Sequence, residues 1–157
     1  MSDAEMPIWK FEKIIHEGAE ATVSEGIWFG KSVISKVRRK RGYRYPELDI
    51  KLTKKRIAAE ARTLFRLRKK SFPCPSIYYI DTNNSQIIMS KIFATPLYEK
   101  LNKLKSPKLI LEEIGKLIRR LHLSDISHGD LTTHNILLSS KEELFIIDFG
   151  LSRISPE

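Results

Sequence analysis

Cysteine is almost absent from the sequence, and this scarcity excludes several kinds of site. Cys74 is the only cysteine among 157 residues, so neither an internal disulfide nor a thiolate metal cluster can form. A run of about 18 consecutive apolar residues, which a membrane span requires, is also missing. We therefore expect a protein of the reducing cytoplasm that has no membrane partner.

Acidic residues are scarce relative to basic ones. The sequence holds 19 Asp and Glu against 28 Lys and Arg, which gives a net charge of +9. The basic residues cluster at 38–41 and along residues 51–70. Such a surface predicts weak electrostatic binding of RNA, or binding of nucleotide phosphates. Solvated lysine faces explain the same excess equally well, so the charge alone does not choose between the two.

The first part of the chain has the short apolar runs of β-strands, with glycines at the turns. Pro46 then opens a segment rich in helix formers. Six apolar residues at helical spacing are expected to form the buried stripe of that helix: Leu48, Leu52, Ile57, Ala61, Leu64 and Leu67. The predicted strands are 9–15, 22–29, 32–37, 76–80 and 86–92, and the predicted helix is 46–70.

Helical periodicity dominates the second part of the chain. Residues 96–104 predict a weak helix. Ser106 as the N-cap and Pro107 at the first helical position predict a strong helix that ends near His122. Two short apolar runs then predict a hairpin at 135–138 and 144–147.

The most specific signal is a pair of short motifs around this hairpin. Residues 128–135 read HGDLTTHN and residues 148–150 read DFG. This pattern resembles the protein kinase superfamily, whose catalytic loop is H-x-D-L-x-x-x-N and whose Asp-Phe-Gly triplet follows the hairpin. The resemblance implies ATP and Mg²⁺ as cofactors. It implies that Asn135 and Asp148 hold magnesium, and that Asp130 is the base that accepts the proton of the nucleophile.

The resemblance implies an α+β fold of the minimal protein-kinase-like kind, with two lobes. The N-lobe, residues 1–92, is expected to hold a five-stranded antiparallel sheet and one helix. The C-lobe, residues 93–157, is expected to be reduced and helical. Seven residues follow Gly150 (157 − 150 = 7). They leave no room for the C-terminal helices of the family, so a truncated C-lobe is expected.

Lys36 and Glu60 are implied to form the ion pair of the nucleotide site. Lys36, on the third predicted strand, matches the kinase lysine that binds the α and β phosphates. Glu60, on the long helix, is its implied partner. A solvated strand lysine is the ordinary alternative for Lys36, and a surface pair with Arg56, one turn earlier, is the alternative for Glu60.

The phosphate loop and the catalytic loop depart from the usual kinase pattern. The phosphate loop keeps one glycine where ordinary kinases have three, and Gly129 replaces an arginine that reads a phosphorylated activation loop in many kinases. Switching by loop phosphorylation is therefore not expected. The residues implied for the phosphate loop are Gly18, Ala19, Glu20 and Ala21. Those implied for the adenine-binding hinge, through backbone groups, are Met89, Ser90, Lys91 and Ile92.

Four segments together narrow the resemblance. They are residues 18–21 (GAEA), 43–49 (YRYPELD), 56–61 (RIAAEA) and 128–133 (HGDLTT). The chain resembles the small atypical kinase/ATPase subunit of the KEOPS complex from about residue 11 to residue 152. This implies a serine/threonine-type kinase or ATPase that supports threonylcarbamoyladenosine modification of tRNA. The implied partners are a tRNA-modifying catalytic subunit, a small regulatory subunit and, weakly, tRNA.

Two other functions stay open at this stage. Small-molecule phosphotransferases of the aminoglycoside or sugar-kinase kind share the fold and often the sequence His-Gly-Asp, but they need a large helical substrate lobe, for which this chain has no room. A pseudokinase scaffold would bind nucleotide without turnover. The presence of Lys36, Asp130, Asn135 and Asp148 argues against the scaffold.

Overall fold

A five-stranded antiparallel sheet dominates the first part of the computed structural model, which describes residues 8–40, 42 and 45–155. Its strands are β1 Trp9–Glu17, β2 Ala21–Trp28, β3 Lys31–Arg38, β4 Ile77–Asp81 and β5 Gln86–Ser90. Their order across the sheet is β1-β2-β3-β5-β4. The meander predicted from the sequence is confirmed. Arg41, and Tyr43 and Arg44 of the 43–49 motif, lie outside the described residues.

Short turns with the expected chemistry join these strands. Phe29 and Gly30, both with positive φ, connect β2 to β3, as two-residue hairpin turns of type I′ require. The Asp81 carboxylate accepts hydrogen bonds from the backbone N–H groups of Asn83 and Asn84, at 2.9 and 3.0 Å. The bonds from Asn84 lower the pKa of Asp81. An aspartate that bonds to the backbone two residues on is a common turn former.

The long helix α1 spans Pro46–Lys69 and buries most of the predicted stripe. Leu52 is half-buried, and Leu48 departs from the prediction, because it is 49% exposed. At about 100° per residue, the nine steps from Leu48 to Ile57 turn the chain by about 900°, which puts Leu48 opposite the core face. Asp49, which is buried, occupies the inward position of the first turn instead.

The second part of the chain combines two helices with short strands. A core cluster of Leu97, Ile110, Ile114, Ile136 and Leu138 joins them. The predicted weak helix is confirmed as α2 followed by a 3₁₀ turn, Leu101–Lys103. The elements are β6 Thr95–Pro96, α2 Leu97–Lys100, α3 Pro107–His122, β7 Ile126–Ser127, β8 Ile136–Leu138, β9 Leu144–Ile146 and β10 Arg153–Ile154. The strands β6, β8 and β9 form one small sheet, and β7 pairs with β10.

The start of α3 shows one difference from expectation. Ser106 stands at the N-cap and Pro107 in the first turn, as predicted, but the Ser106 side chain makes no capping hydrogen bond. Its backbone, at φ −135° and ψ 72°, turns the chain into the helix. Pro107 has no N–H of its own, so one of the donors left unpaired at a helix start is removed there.

The described residues group into two compact units. The first contains the described part of 1–57 with Ile77–Lys91, and the second contains Ala58–Ser76 with the described part of 92–157. The lobe boundary at residue 92 stays a prediction. In the second unit Cys74 is buried, and burial raises the pKa of its thiol to about 12, so the thiol is inert. No helix in the described ranges has the length and apolarity to cross a membrane.

Candidate active site

A hydrogen-bonded pair, Asp130 and Asn135, lies in the loop between β7 and β8. The Asn135 side-chain amide donates from Nδ2 to the Asp130 carbonyl oxygen at 2.9 Å, and it lies 3.4 Å from the Asp130 carboxylate. The Asp130 side chain is exposed. Because the nitrogen end of the Asn135 amide is turned toward Asp130, its oxygen end is left as a possible cation ligand.

His128 joins this loop to the end of β9. Its ring is 3% exposed, and its Nδ1 accepts the backbone N–H of Asp130 at 3.2 Å. The proton of the neutral ring is therefore on Nε2, which donates to the Ile147 carbonyl at 2.8 Å. The ring also lies 4.8 Å from that of Phe149, centroid to centroid. The imidazole fixes Asp130 relative to the strand that leads to Asp148.

Asp148 adopts an uncommon backbone conformation. Its φ is +59°, in the left-handed region, which aspartate tolerates better than most residues. The Ile147 N–H donates to the Asn135 carbonyl at 3.0 Å, and the Gly150 N–H lies 3.3 Å from the Asp148 carboxylate. Residues held in such conformations cluster at functional sites. The exposed carboxylate of Asp148 thus follows directly on the residue that bonds to both His128 and Asn135.

Gly129 has a structural reason to be glycine. Its φ is +84°, and a Cβ atom built on it would lie 2.3 Å from the Leu151 carbonyl oxygen. Any side chain would therefore meet both an unfavourable backbone conformation and a rigid backbone atom. The sequence comparison with kinases identified Gly129 only as a missing arginine. The fold adds that this segment packs directly against the residue after the Asp-Phe-Gly triplet.

Helix α1 is joined to the same segment through two hydroxyl groups that sequence reasoning missed. Ser152 Oγ lies 2.7 Å from the Phe149 carbonyl and 3.0 Å from the Oγ1 of buried Thr63. A carbonyl oxygen only accepts, so the Ser152 proton points to Phe149 and the Thr63 hydroxyl donates to Ser152. Thr63 lies one helical turn after Glu60. The segment after the triplet is thereby fixed to the helix that carries Glu60.

We expect Thr63 and Ser152 to be energetically coupled. The Thr63→Val and Ser152→Ala substitutions should each lower the free energy of unfolding by about 1 kcal/mol, the usual net value of one hydrogen bond. The double variant should lose at least about 0.5 kcal/mol less than the sum of the two. Denaturant unfolding measures all three. Ser140→Ala, at an exposed serine in the same unit, is the matched control and should change little. Strictly additive losses would contradict the coupling.

The first unit holds Lys36 and the predicted phosphate loop. Lys36 is buried on β3, where it is opposite Ile87 of β5 in the sheet register. The predicted phosphate loop is closed by a hydrogen bond from the Gly18 N–H to the Ala21 carbonyl, at 3.0 Å. Because Lys36 is buried, the alternative that it is a solvated lysine on the strand surface is wrong. Its role at a phosphate stays a prediction.

Glu20 and Arg56 form an ion pair that the sequence did not predict. Arg56 Nη1 lies 3.2 Å from each carboxylate oxygen of Glu20, so the negative charge in the predicted phosphate loop is partly neutralised. Glu60 is 2% exposed. A solvent-exposed pair between Arg56 and Glu60 is therefore excluded, since Glu60 is buried. This leaves the role of Glu60 as the partner of Lys36 as a prediction.

The strand that leads to the predicted hinge is shorter than expected, because β5 ends at Ser90 rather than at residue 92, and the hinge itself stays a prediction. Met89 is buried in the sheet, and Ile92 is half-buried. The Lys91 backbone N–H donates to the Ser32 carbonyl, and Lys91 Nζ lies 3.0 Å from the Glu25 carboxylate. Lys91 and Lys13 lower the pKa of Glu25. The ion pair between Lys91 and Glu25 fixes the end of β5 to β2.

The predicted site residues divide between the two units. Lys36, Gly18, Ala19, Glu20, Ala21, Met89 and Ser90 belong to the first, and Glu60, Ile92, Asp130, Asn135 and Asp148 belong to the second. The described residues contain no group of three His, Cys, Asp or Glu side chains that could hold a metal. Asn135 and Asp148 offer an amide oxygen and a carboxylate, and magnesium is usually bound through one or two carboxylates together with substrate phosphates and water.

Comparison with known proteins gives three findings. A profile of the RIO domain matches residues 30–153. The probable bifunctional tRNA threonylcarbamoyladenosine biosynthesis protein of Methanosphaera stadtmanae is 43% identical over 144 residues, which cover 92% of this chain and 27% of that protein. The EKC/KEOPS complex subunit bud32 of Dictyostelium discoideum is 39% identical over 150 residues, which cover 90% of this chain and 60% of that protein.

The fold has a counterpart among solved structures. The Rio2 kinase of Chaetomium thermophilum, crystallised as a complex with ADP, Mg²⁺ and phosphoaspartate, matches with a TM-score of 0.80 and 20% identity. The match covers 94% of this chain and 49% of that one. This likeness confirms the predicted kinase-like α+β fold. The chain spans about a quarter of the length of the bifunctional protein of Methanosphaera and 60% of the Dictyostelium subunit.

Proposed function

The chain belongs to the RIO domain family, and from that premise we propose that it is an atypical kinase or ATPase that acts in threonylcarbamoyladenosine modification of tRNA. The relatives named for that modification and for the KEOPS complex support this function. The observation that carries the proposal is the linked set of Asp130, Asn135 and Asp148. They are joined by hydrogen bonds through His128 and Ile147.

Each of the three residues has a definite task in phosphoryl transfer. The Asn135 amide oxygen and the Asp148 carboxylate would hold Mg²⁺, whose charge neutralises that of the phosphates when it is bound. The Asp130 carboxylate would accept the proton of the attacking hydroxyl or water. The Asp130 backbone is held by its N–H bond to His128 and by the bond from Asn135 to its carbonyl, and the Asn135 amide also lies 3.4 Å from the carboxylate, so little reorganisation accompanies the reaction.

The nucleotide contacts follow from the same proposal. Lys36 would bind the α and β phosphates, with Glu60 as its partner. The match of Lys36, on β3, to the strand lysine of kinases supports this role. The phosphate-loop backbone at 18–21 and the hinge at 89–92 would complete the ATP site.

The physiological setting is part of the proposal. We assign the protein to a KEOPS-type complex in the cytoplasm, with a tRNA-modifying catalytic subunit and a small regulatory subunit as partners and tRNA as a weakly bound polyanion. Serine/threonine specificity is likewise proposed. The relatives named as a KEOPS complex subunit and as a threonylcarbamoyladenosine biosynthesis protein support the complex, and the net charge of +9 supports the polyanion.

Thermal unfolding with nucleotide tests the proposal. A ligand at about 100 times its Kd stabilises the native state by about 2.7 kcal/mol, so Mg²⁺ with ATP should raise the Tm by roughly 5 to 10 °C for a domain of this size. The Asp148→Ala variant should lose the magnesium-dependent part of that rise. Glu143→Ala, which removes an exposed carboxylate five residues earlier, should keep it. An equal rise in Tm in both variants would mean that Asp148 does not hold the magnesium ion.

A further inference from the structure

We propose that the C-terminal half of α1 binds an RNA strand at an unpaired base, which stacks on Phe65. The surface consists of Arg62, Phe65, Arg66 and Lys69 on α1 and Arg120 on α3, and we call it the Phe65 patch. All five residues belong to the second unit. The choice of RNA as the polymer rests on the proposed role in tRNA modification. The shape and charge of the patch are independent of that role.

The helix places an aromatic ring among cations. At about 100° per residue, Arg62, Phe65, Arg66 and Lys69 fall within a sector of about 100° on one side of α1. Phe65 is 55% exposed, and Arg62 and Lys69 are exposed on either side of it along the helix. Residues three and four apart on a helix are neighbours, so the ring has a cation one turn before it and another one turn after it.

The end of α3 adds further positive charge. Arg120 Nη2 donates to the Ser71 carbonyl at 3.1 Å, and its guanidinium lies 5.5 Å from the Phe72 ring centroid. These contacts hold an exposed arginine beside the end of α1. Among the described acidic side chains, the one seen to contact the patch is Asp125, which pairs with Arg66 at 3.1 Å. The patch is therefore strongly cationic.

This combination fits one chemical class of partner best. The cations of the patch can pair with a phosphate, and the exposed Phe65 ring can stack on a flat apolar face. An unpaired nucleotide offers both a phosphate and such a face. A base-paired duplex keeps its base faces stacked inside. Its phosphates would contact the cations, but its bases would not stack on Phe65. An acidic protein surface would satisfy the arginines and lysine but offers no reason for the ring at their centre. Asp49 and Glu60, the buried acidic residues of α1, lie about 140° to 160° around the helix from Phe65, on its opposite side.

Fluorescence anisotropy with the full chain tests the patch. The probes are a single-stranded RNA of about 12 nucleotides and a blunt duplex of the same length, within the usual site size of one binding module. Phe65→Ala should weaken single-strand binding by about 5- to 150-fold, the range for loss of one stacked base. It should leave duplex binding unchanged, and Phe65→Trp should restore the single-strand affinity.

Salt dependence reports on the cations. The Arg62→Ala/Lys69→Ala variant should reduce the slope of log affinity against log salt by about 1.4, since each single-strand phosphate contact contributes about 0.7. Lys105→Ala/Lys108→Ala removes the same charge from exposed positions elsewhere in the unit and should leave the slope nearly unchanged. An equal change in both double variants overturns the patch, because binding then follows net charge alone.

Other results overturn the proposal in distinct ways. Equal loss of single-strand and duplex binding in Phe65→Ala removes the stacked base, and binding of polyglutamate as tightly as RNA indicates an acidic protein partner. Absence of RNA binding at low salt would mean that the Phe65 patch is not an RNA-binding site. The rise in Tm with Mg²⁺ and ATP is measured on the same variants and should persist. A wild-type chain that binds RNA through Phe65 without this rise supports the patch and overturns the proposed kinase or ATPase.

Discussion

Replacing Asp130 by alanine should lower ATP turnover by about 10²- to 10⁴-fold, the usual contribution of a positioned general base. Most of the affinity for ATP should remain, because the carboxylate acts on the proton of the nucleophile mainly in the transition state. The structure supports this division of roles. The Asp130 side chain is exposed, while the Asp130 backbone supplies the contacts to His128 and Asn135, which alanine keeps.

Two measurements separate catalysis by Asp130 from a structural role. ATP hydrolysis and autophosphorylation, with and without a tRNA-modifying partner protein, give the turnover, and the rise in Tm with Mg²⁺ and ATP gives the binding. Glu143→Ala should keep both, because its carboxylate is exposed and outside the loop. Full ATP hydrolysis by the Asp130→Ala variant would mean that Asp130 is not the general base. Parallel loss of binding and turnover would mean that the substitution disturbs the loop.

Local periodicity was sufficient to predict most of the fold. The strands of the five-stranded sheet and the helices α1 and α3 are long enough for alternation and helical spacing to identify them. The strands β6, β7 and β10 have two residues each and carry no periodic signal. Leu48 was misplaced because an apolar residue in the first turn of a helix resembles the stripe, although its angle puts it outside.

The same holds for the site. Its motifs could be predicted from the local sequence, whereas its long-range contacts could not. Each of the motifs at 128–135 and 148–150 places its chemical groups within a few residues, so a single sequence is enough to identify them. The bond from His128 to Ile147 spans 19 residues and that from Ser152 to Thr63 spans 89. Such pairings depend on how distant segments fold together, and no local pattern encodes them. The Glu20 and Arg56 pair is of the same kind.

Replacing Gly129 by alanine should be among the most destabilising single substitutions in the chain. The left-handed backbone costs a residue with a Cβ atom about 1 to 2 kcal/mol, and the approach of that atom to within 2.3 Å of the Leu151 carbonyl oxygen forces a backbone shift. Such overpacking adds about 1 to 3 kcal/mol. A total of about 3 kcal/mol lowers the Tm by roughly 6 to 12 °C.

Two other glycines allow the contributions to Gly129→Ala to be separated. Gly30 has a similar φ of +75° but no atom within 4 Å of an added Cβ, so Gly30→Ala should show the backbone cost alone. Gly115 lies in α3 with equally open space, and alanine there should raise stability by about 0.5 to 1 kcal/mol. Thermal unfolding of the three variants ranks them. A Gly129→Ala loss no larger than that of Gly30→Ala would mean that Leu151 moves aside freely. A larger loss, together with reduced turnover, would show that this close contact positions Asp130.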